Sequence, residues 1–117
     1  VGSEMCIRDR QGCWGQYCTQ ITGNYLFHSS PYNSPNKNDL SYRLYNQLGT
    51  VCSHGCVRLT VADAKWIYDN CPLGTTVSIY NASSLPVPKP SAPWLDISSP
   101  NRGWDPTDPD PANPWNK

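Results

Sequence analysis

The chain has 117 residues, with 9 Lys and Arg against 9 Asp and Glu, 6 Cys and 12 Pro. This length allows one domain at most, because domains usually have about 100–200 residues. A formal net charge of zero and a charged fraction of 15% exclude the basic surface that nucleic-acid-binding proteins use. No apolar run approaches the roughly 20 residues that cross a bilayer as a helix. The cysteine content favours an oxidising, extracytoplasmic setting.

The first ten residues, VGSEMCIRDR, carry no pattern that continues into the rest of the chain. We therefore expect residues 1–10 to be a non-native junction, and we exclude them, with Cys6, from the interpretation of the fold. The native N-terminus, together with an export signal, is then expected upstream of this sequence. The remaining globular part, residues 11–85, is short for a well-buried core, which predicts either part of a domain or dependence on disulfides.

An aromatic and apolar run, NYLF at Asn24–Phe27, lies between Gly23 and a Ser-Ser-Pro segment. This pattern predicts a short buried strand that ends at His28. The polar composition of residues 29–50 predicts a long loop with one helical turn. Loops of this length are often lids over functional sites.

Thr60 begins a clear helix pattern, because Asp63 follows it three positions later as in a capping box. Pro72 ends this helix, since proline cannot continue it. The apolar stripe is predicted from residues at helical spacing: Val61, Ala64, Ile67 and Cys71. After the helix, TTVSIY at residues 75–80 alternates in polarity and predicts a strand.

Residues 86–117 contain nine of the 12 prolines and three of the five tryptophans. Because proline fixes φ and removes a backbone donor, this composition predicts an irregular, extended, polyproline-like tail. Its tryptophans either pack back on the domain or hold a ligand, and we favour a tail docked on its own domain.

The densest group of chemically active residues is CSHGCVRL, at Cys52–Leu59. Cys56 comes a few residues before the predicted helix, where helix-end N–H groups and Arg58 favour the thiolate, the nucleophilic form of cysteine. A proton acceptor is also needed, and the chain has only two histidines. His28 ends a strand and His54 comes two residues before the cysteine, so either one is a candidate base.

An alternative interpretation of the same residues is a zinc site made of Cys52, His54, Cys56 and His28. Their spacing, C-x-H-x-C with a distant histidine, matches no established zinc pattern. Pairing of Cys56 in a disulfide is the other alternative to a nucleophile.

The cysteine count also bears on the disulfides. With Cys6 excluded and Cys56 kept as a thiol, four cysteines remain, and these allow three pairings. We favour two bridges: Cys13–Cys18 and Cys52–Cys71.

The segment SHGCVR at Ser53–Arg58, preceded by FHSSPY at Phe27–Tyr32, closely resembles two motifs of the L,D-transpeptidase catalytic domain, also called the YkuD family. The helix and GTTVSIY look like the C-terminal portion of that family, and the resemblance covers residues 14–81. It implies a mainly β fold with one α-helix. The implied domain is β-sandwich-like, lacks its N-terminal strands here, and is followed by the Pro- and Trp-rich tail.

The resemblance assigns a role to each matching residue. Cys56 matches the nucleophile, His28 the general base, and the Ser29 carbonyl the group that accepts the other imidazole N–H. The backbone N–H groups of His54, Gly55 and Cys56 match a turn that stabilises the oxyanion. Three further residues are expected to contact the substrate: Arg58, Tyr32 and Ser53.

The implied activity is that of a cysteine acyltransferase acting on peptidoglycan peptide stems in the bacterial cell wall. The cysteine attacks the third stem residue, releases the terminal D-alanine, and passes the acyl group to a neighbouring stem as a 3→3 cross-link. The family requires no metal or organic cofactor, and carbapenem-type β-lactams are implied inhibitors. Two alternatives stay open: an L,D-carboxypeptidase with the same residues, and a non-catalytic cell-wall-binding module.

Overall fold

A computed structural model of the chain describes residues 3–8, 13–23, 25–49, 56–78 and 93–116, with side chains from residue 14 onward. These residues form four strands, two α-helices and one 3₁₀ turn. In chain order they are β1 (Ser3–Arg8), β2 (Cys13–Thr22), β3 (Tyr25–Ser29), α1 (Tyr42–Tyr45), β4 (Val57–Leu59), α2 (Val61–Asn70) and the 3₁₀ turn Pro114–Asn116. None of the described helices is both long and apolar enough to cross a membrane.

The four strands form one sheet in the order β1-β2-β3-β4. The β1–β2 and β2–β3 pairs are antiparallel, whereas β3 and β4 are parallel. Parallel neighbours need a long crossover connection, and the polar loop that contains α1 lies between these two strands. The predicted strand at β3 and the predicted helical turn in the loop are confirmed. Strands β2 and β4 were not expected.

Strand β1 corrects the interpretation of the N-terminal residues. Ser3–Arg8 pairs with β2, and the register places Cys6 opposite Gly15 and Arg8 opposite Cys13. The exclusion of this segment from the interpretation of the fold is therefore corrected. Backbone pairing requires only an extended neighbour, so a segment without a polarity pattern can still form an edge strand. Its non-native origin stays a prediction.

Helix α2 forms as the sequence predicts. The Thr60 hydroxyl accepts a hydrogen bond from the Asp63 N–H at 3.3 Å, and the helix ends at Asn70, two residues before Pro72. Val61 and Ala64 are fully buried, whereas the later stripe residues are only half-buried. Helix α2 packs against strands β2 and β3. These contacts hold the helix against the sheet.

The predicted strand at residues 75–80 is not observed in its described part. Residues 75–78 have no strand pairing, and Val77 is 41% exposed. No described strand of the sheet pairs with this segment, so alternation alone does not make it a strand. Residues 79 and 80 lie outside the description.

The C-terminal tail is docked on the domain, but it is not extended. Residues 97–116 form consecutive turns, so the polyproline-like expectation is wrong there. In four Asx-Pro turns the side-chain oxygen accepts from the N–H two residues later: Asp105 from Thr107, Asp108 from Asp110, Asp110 from Ala112 and Asn113 from Trp115. The tail also supplies Leu95, which is 1% exposed, to the core.

The core combines residues from nearly every part of the chain. It contains the buried side chains of Tyr17, Tyr32, Leu40, Tyr45, Val61, Ala64 and Leu95. Tyr17 has a φ of 51°, a conformation that is rare for an aromatic residue. The Tyr17 ring packs edge-on against Tyr68 of α2, with centroids 5.5 Å apart.

Candidate active site

The parallel pairing of β3 and β4 places the two motif segments side by side. His28 pairs with Arg58, and continuing this register by two residues puts Cys56 opposite Leu26. Residues in register on parallel strands share a face with residues two positions away. His28 and Cys56 therefore point to the same face. Strand spacing and rise per residue put their Cα atoms about 8 Å apart, a separation that two side chains can bridge.

A hydrogen bond to the sulfur supports this placement of the cysteine. The Leu26 backbone N–H donates to Cys56 Sγ at 3.3 Å. Cys56 is 6% exposed and is not part of a disulfide. This hydrogen bond from β3 holds the sulfur beside the strand that carries His28.

The tautomer of His28 follows from its hydrogen bond. Nδ1 lies 2.5 Å from the Ser29 carbonyl oxygen, and the side chain is fully buried. A carbonyl oxygen only accepts, so Nδ1 carries the proton and, in the neutral ring, Nε2 carries the lone pair. An imidazole fixed in this way next to a thiol is the arrangement that general-base activation requires.

A buried polar network supports the strand that carries the histidine. Ser29 Oγ accepts from the Gln16 N–H at 2.9 Å and donates to the Ser30 carbonyl at 3.0 Å. The Gln16 side-chain amide donates to Tyr32 Oη at 2.7 Å and to Asp108 Oδ2 at 3.0 Å. Sequence reasoning missed Gln16 and Asp108. The one available signal was a lone glutamine between aromatic residues in β2.

Tyr32 is part of the core and does not face a substrate. Its side chain is fully buried, and its hydroxyl accepts from Gln16. Burial raises the pKa of Tyr32 far above its ordinary value, and the charge of nearby Asp105 acts in the same direction. The expectation that Tyr32 contacts substrate is therefore wrong, because no part of the side chain reaches the surface.

The remaining expected site residues divide into two groups. Arg58 is half-buried on β4, directly beside His28 in the register. Ser53, His54 and Gly55 lie outside the described residues, together with Cys52. The oxyanion turn and the zinc alternative depend on these residues and stay predictions.

The cysteines correct one of the two expected bridges. Cys71 carries a free thiol at the C-terminal end of α2, so the pairing Cys52–Cys71 is wrong. The half-buried Cys71 side chain lines a cavity of about 730 Å³ between α2, the sheet and residues 71–78. The side chain of Cys13 is outside the description, so the bridge Cys13–Cys18 stays a prediction.

Comparison with known proteins adds independent information. A family profile described as "L,D-transpeptidase catalytic domain" (YkuD) matches residues 4–79. A protein of Bacillus subtilis (strain 168) named "Putative L,D-transpeptidase YciB" is 47% identical over 57 residues. The matched segment is 49% of this chain and 28% of that relative, so the chain spans well under half of the relative's length. No solved structure matches the chain significantly.

Proposed function

Since the chain belongs to the L,D-transpeptidase catalytic domain family, we propose that it is a cysteine acyltransferase that forms 3→3 cross-links between peptidoglycan peptide stems. Cys56 is the nucleophile, His28 the general base, and the Ser29 carbonyl the group that orients the imidazole. The parallel pairing of β3 and β4 is the observation that supports this proposal best, because it puts the imidazole and the thiol on one face.

The first half-reaction forms a thioester. His28 Nε2 takes the thiol proton, and Cys56 Sγ bonds to the carbonyl carbon of the third stem residue. The carbon–nitrogen bond to the terminal D-alanine then breaks, and the imidazolium returns the proton to the leaving amine. The hydrogen bond from the Leu26 N–H is proposed to hold the sulfur in position during this step.

The second half-reaction releases the acyl group. The amine of a neighbouring stem attacks the thioester carbonyl, the carbon–sulfur bond breaks, and the amine proton passes through His28 to the thiolate. Water in place of the amine gives the L,D-carboxypeptidase reaction with the same residues. In both cases the backbone N–H groups of His54, Gly55 and Cys56 are proposed to stabilise the oxyanion, and Arg58 and Ser53 to contact the stem.

The wider setting is part of the same proposal. The complete domain is proposed to be a β-sandwich in an exported, wall-associated protein that carbapenem-type β-lactams acylate at Cys56. A Cys13–Cys18 bridge fits that oxidising compartment.

The experiment is incubation of the chain with a disaccharide-tetrapeptide, followed by mass spectrometry of the products. The proposal predicts a cross-linked dimer and free D-alanine, whereas a tripeptide without dimer indicates the carboxypeptidase. Retention of peptidoglycan by the Cys56→Ala variant, with no product from the unsubstituted chain, would identify a wall-binding module and contradict the proposal.

A further inference from the structure

Gly15 of β2 lies directly against the imidazole of His28. A Cβ atom built at Gly15 comes within 3.0 Å of His28 Nδ1 and 3.3 Å of both Cβ and Cγ. Nine in ten real Cβ contacts are longer than these, so a larger residue requires that the strand or the ring move by a few tenths of an ångström.

The strand is the part that is held. On one side of Gly15, Trp14 and Tyr32 exchange two backbone hydrogen bonds of 3.0 and 2.7 Å. On the other side, the Gln16 N–H donates to Ser29 Oγ at 2.9 Å. Three hydrogen bonds on the two residues that flank Gly15 therefore fix the backbone of β2 at this level.

The ring is the part that can yield. Its orientation depends on the hydrogen bond from Nδ1 to the Ser29 carbonyl, and Nδ1 is also the atom closest to the added Cβ. A side chain at position 15 would turn the imidazole out of this bond and leave the tautomer unfixed.

We propose that Gly15 is a positioning residue for His28: the missing side chain lets β2 form the surface against which the imidazole is held with Nε2 available to the thiol. The effect on turnover rests on the proposed function, whereas the effect on the ring does not. Gly15 itself contacts no reacting atom of a substrate.

The test compares Gly15→Ala with Gly74→Ala in the full chain. Gly74 has a φ of 92° and no atom within 4 Å of an added Cβ, so its substitution strains the backbone without touching His28. Long-range ¹H–¹⁵N spectra of the imidazole report the tautomer, and the His28→Gln variant assigns the His28 signals.

In the unsubstituted chain and in Gly74→Ala we expect one tautomer with the proton on Nδ1. In Gly15→Ala we expect mixed or exchanged tautomers and a kcat reduced by about 10²-fold with little change in KM, because a small misplacement of a catalytic group costs about that much. Unchanged His28 signals in a folded Gly15→Ala protein would overturn the inference.

The experiment distinguishes failure of the proposed function from failure of the proposed role of Gly15. If the unsubstituted chain has no transpeptidase activity, the proposed function fails, and the imidazole spectra still decide the role of Gly15. If Gly15→Ala does not fold, nuclear Overhauser contacts between the Gly15 α-protons and the His28 ring protons in the unsubstituted chain decide it, and their absence would overturn the inference.

Discussion

At the residue scale, the two histidines have different expected effects. His28→Ala removes the proposed base, so we expect the acylation rate to fall by about 10²–10⁴-fold. His54→Ala removes only a side chain whose residue is proposed to act through its backbone N–H, so a much smaller loss is expected. The measurement is the single-turnover acylation rate of each variant with a disaccharide-tetrapeptide. The reverse order of effects would assign the base to His54.

Tyr32 gives a second prediction at this scale. Tyr32→Phe removes the hydroxyl that accepts from Gln16 and leaves the ring in the core. We expect the free energy of unfolding to fall by about 1–3 kcal/mol, because the substitution leaves a buried Gln16 N–H donor without its acceptor. Urea unfolding measures this change, and KM for the stem substrate is the control. A large rise in KM with unchanged stability would restore Tyr32 as a substrate contact.

The sequence motifs predict some residues of the candidate site, whereas the places of the others depend on which side chains the fold buries. Cys56, His28 and Ser29 stand in local motifs, and the structure places all three where β3 and β4 meet. Tyr32 is adjacent to one of those motifs, yet its side chain enters the core. The contact of Gln16 with Asp108 joins residues 92 positions apart, and no local pattern indicates it.

At the element scale, a helix or strand can be predicted from the sequence when the residues that determine it lie close together in the chain. Helix α2 depends on Thr60, Asp63 and Pro72, all within a short segment, so its bounds could be predicted. Strand β2 is mixed in polarity and contains Tyr17 at a positive φ, and β4 has only three residues, so the pairing partners decide both strands. The tail was predicted from its prolines alone, whereas the Asx residues before them determine its turns.

Asp105 joins the tail to the start of α2. Its Oδ2 accepts from the Val61 N–H at 3.0 Å, and its Oδ1 accepts from the N–H and hydroxyl of Thr107. Burial raises the pKa of Asp105 above its ordinary 3.8, although these hydrogen bonds act in the opposite direction. The carboxyl group therefore holds its proton more tightly in the folded than in the unfolded state.

The sign of the pH dependence follows. A raised folded-state pKa gives a contribution to stability that is present below the unfolded value of about 3.8 and is lost as the pH rises through the folded value. Asp105→Asn does not titrate, so the stability of the original chain relative to this variant should decrease as the pH rises from about 3.5 to 7. Urea unfolding of both proteins at each pH measures this difference. A difference that increases with pH would contradict the assigned direction.

At the scale of the whole molecule, the tail is part of the folded unit. The family match ends at residue 79, yet residues 93–116 contribute to the core and to the network behind His28. Gly103 is a point of close contact, because the Leu40 N–H donates to its carbonyl at 2.9 Å. An added Cβ there would lie 2.1 Å from the Asn38 backbone oxygen.

Gly103→Ala should therefore displace the tail. Overpacking of this kind typically costs about 1–3 kcal/mol. We expect the free energy of unfolding to fall by an amount in the upper part of that range, together with faster proteolysis within residues 93–116. The free energy of unfolding and the cleavage rate are the measurements, and Gly74→Ala is the control for general destabilisation. Equal effects of the two substitutions would show that tail docking does not depend on this contact.

The central claim is that the sulfur at position 56 carries the acyl group during turnover, and it is tested most directly by trapping that intermediate. The chain is mixed with a disaccharide-tetrapeptide, quenched in acid within the first turnover and digested for mass spectrometry. We expect a thioester-linked stem that has lost D-alanine on the peptide containing Cys56, no such mass in Cys56→Ala, and an unmodified Cys71. Turnover by Cys56→Ala, or an acyl group on any other residue, would contradict it.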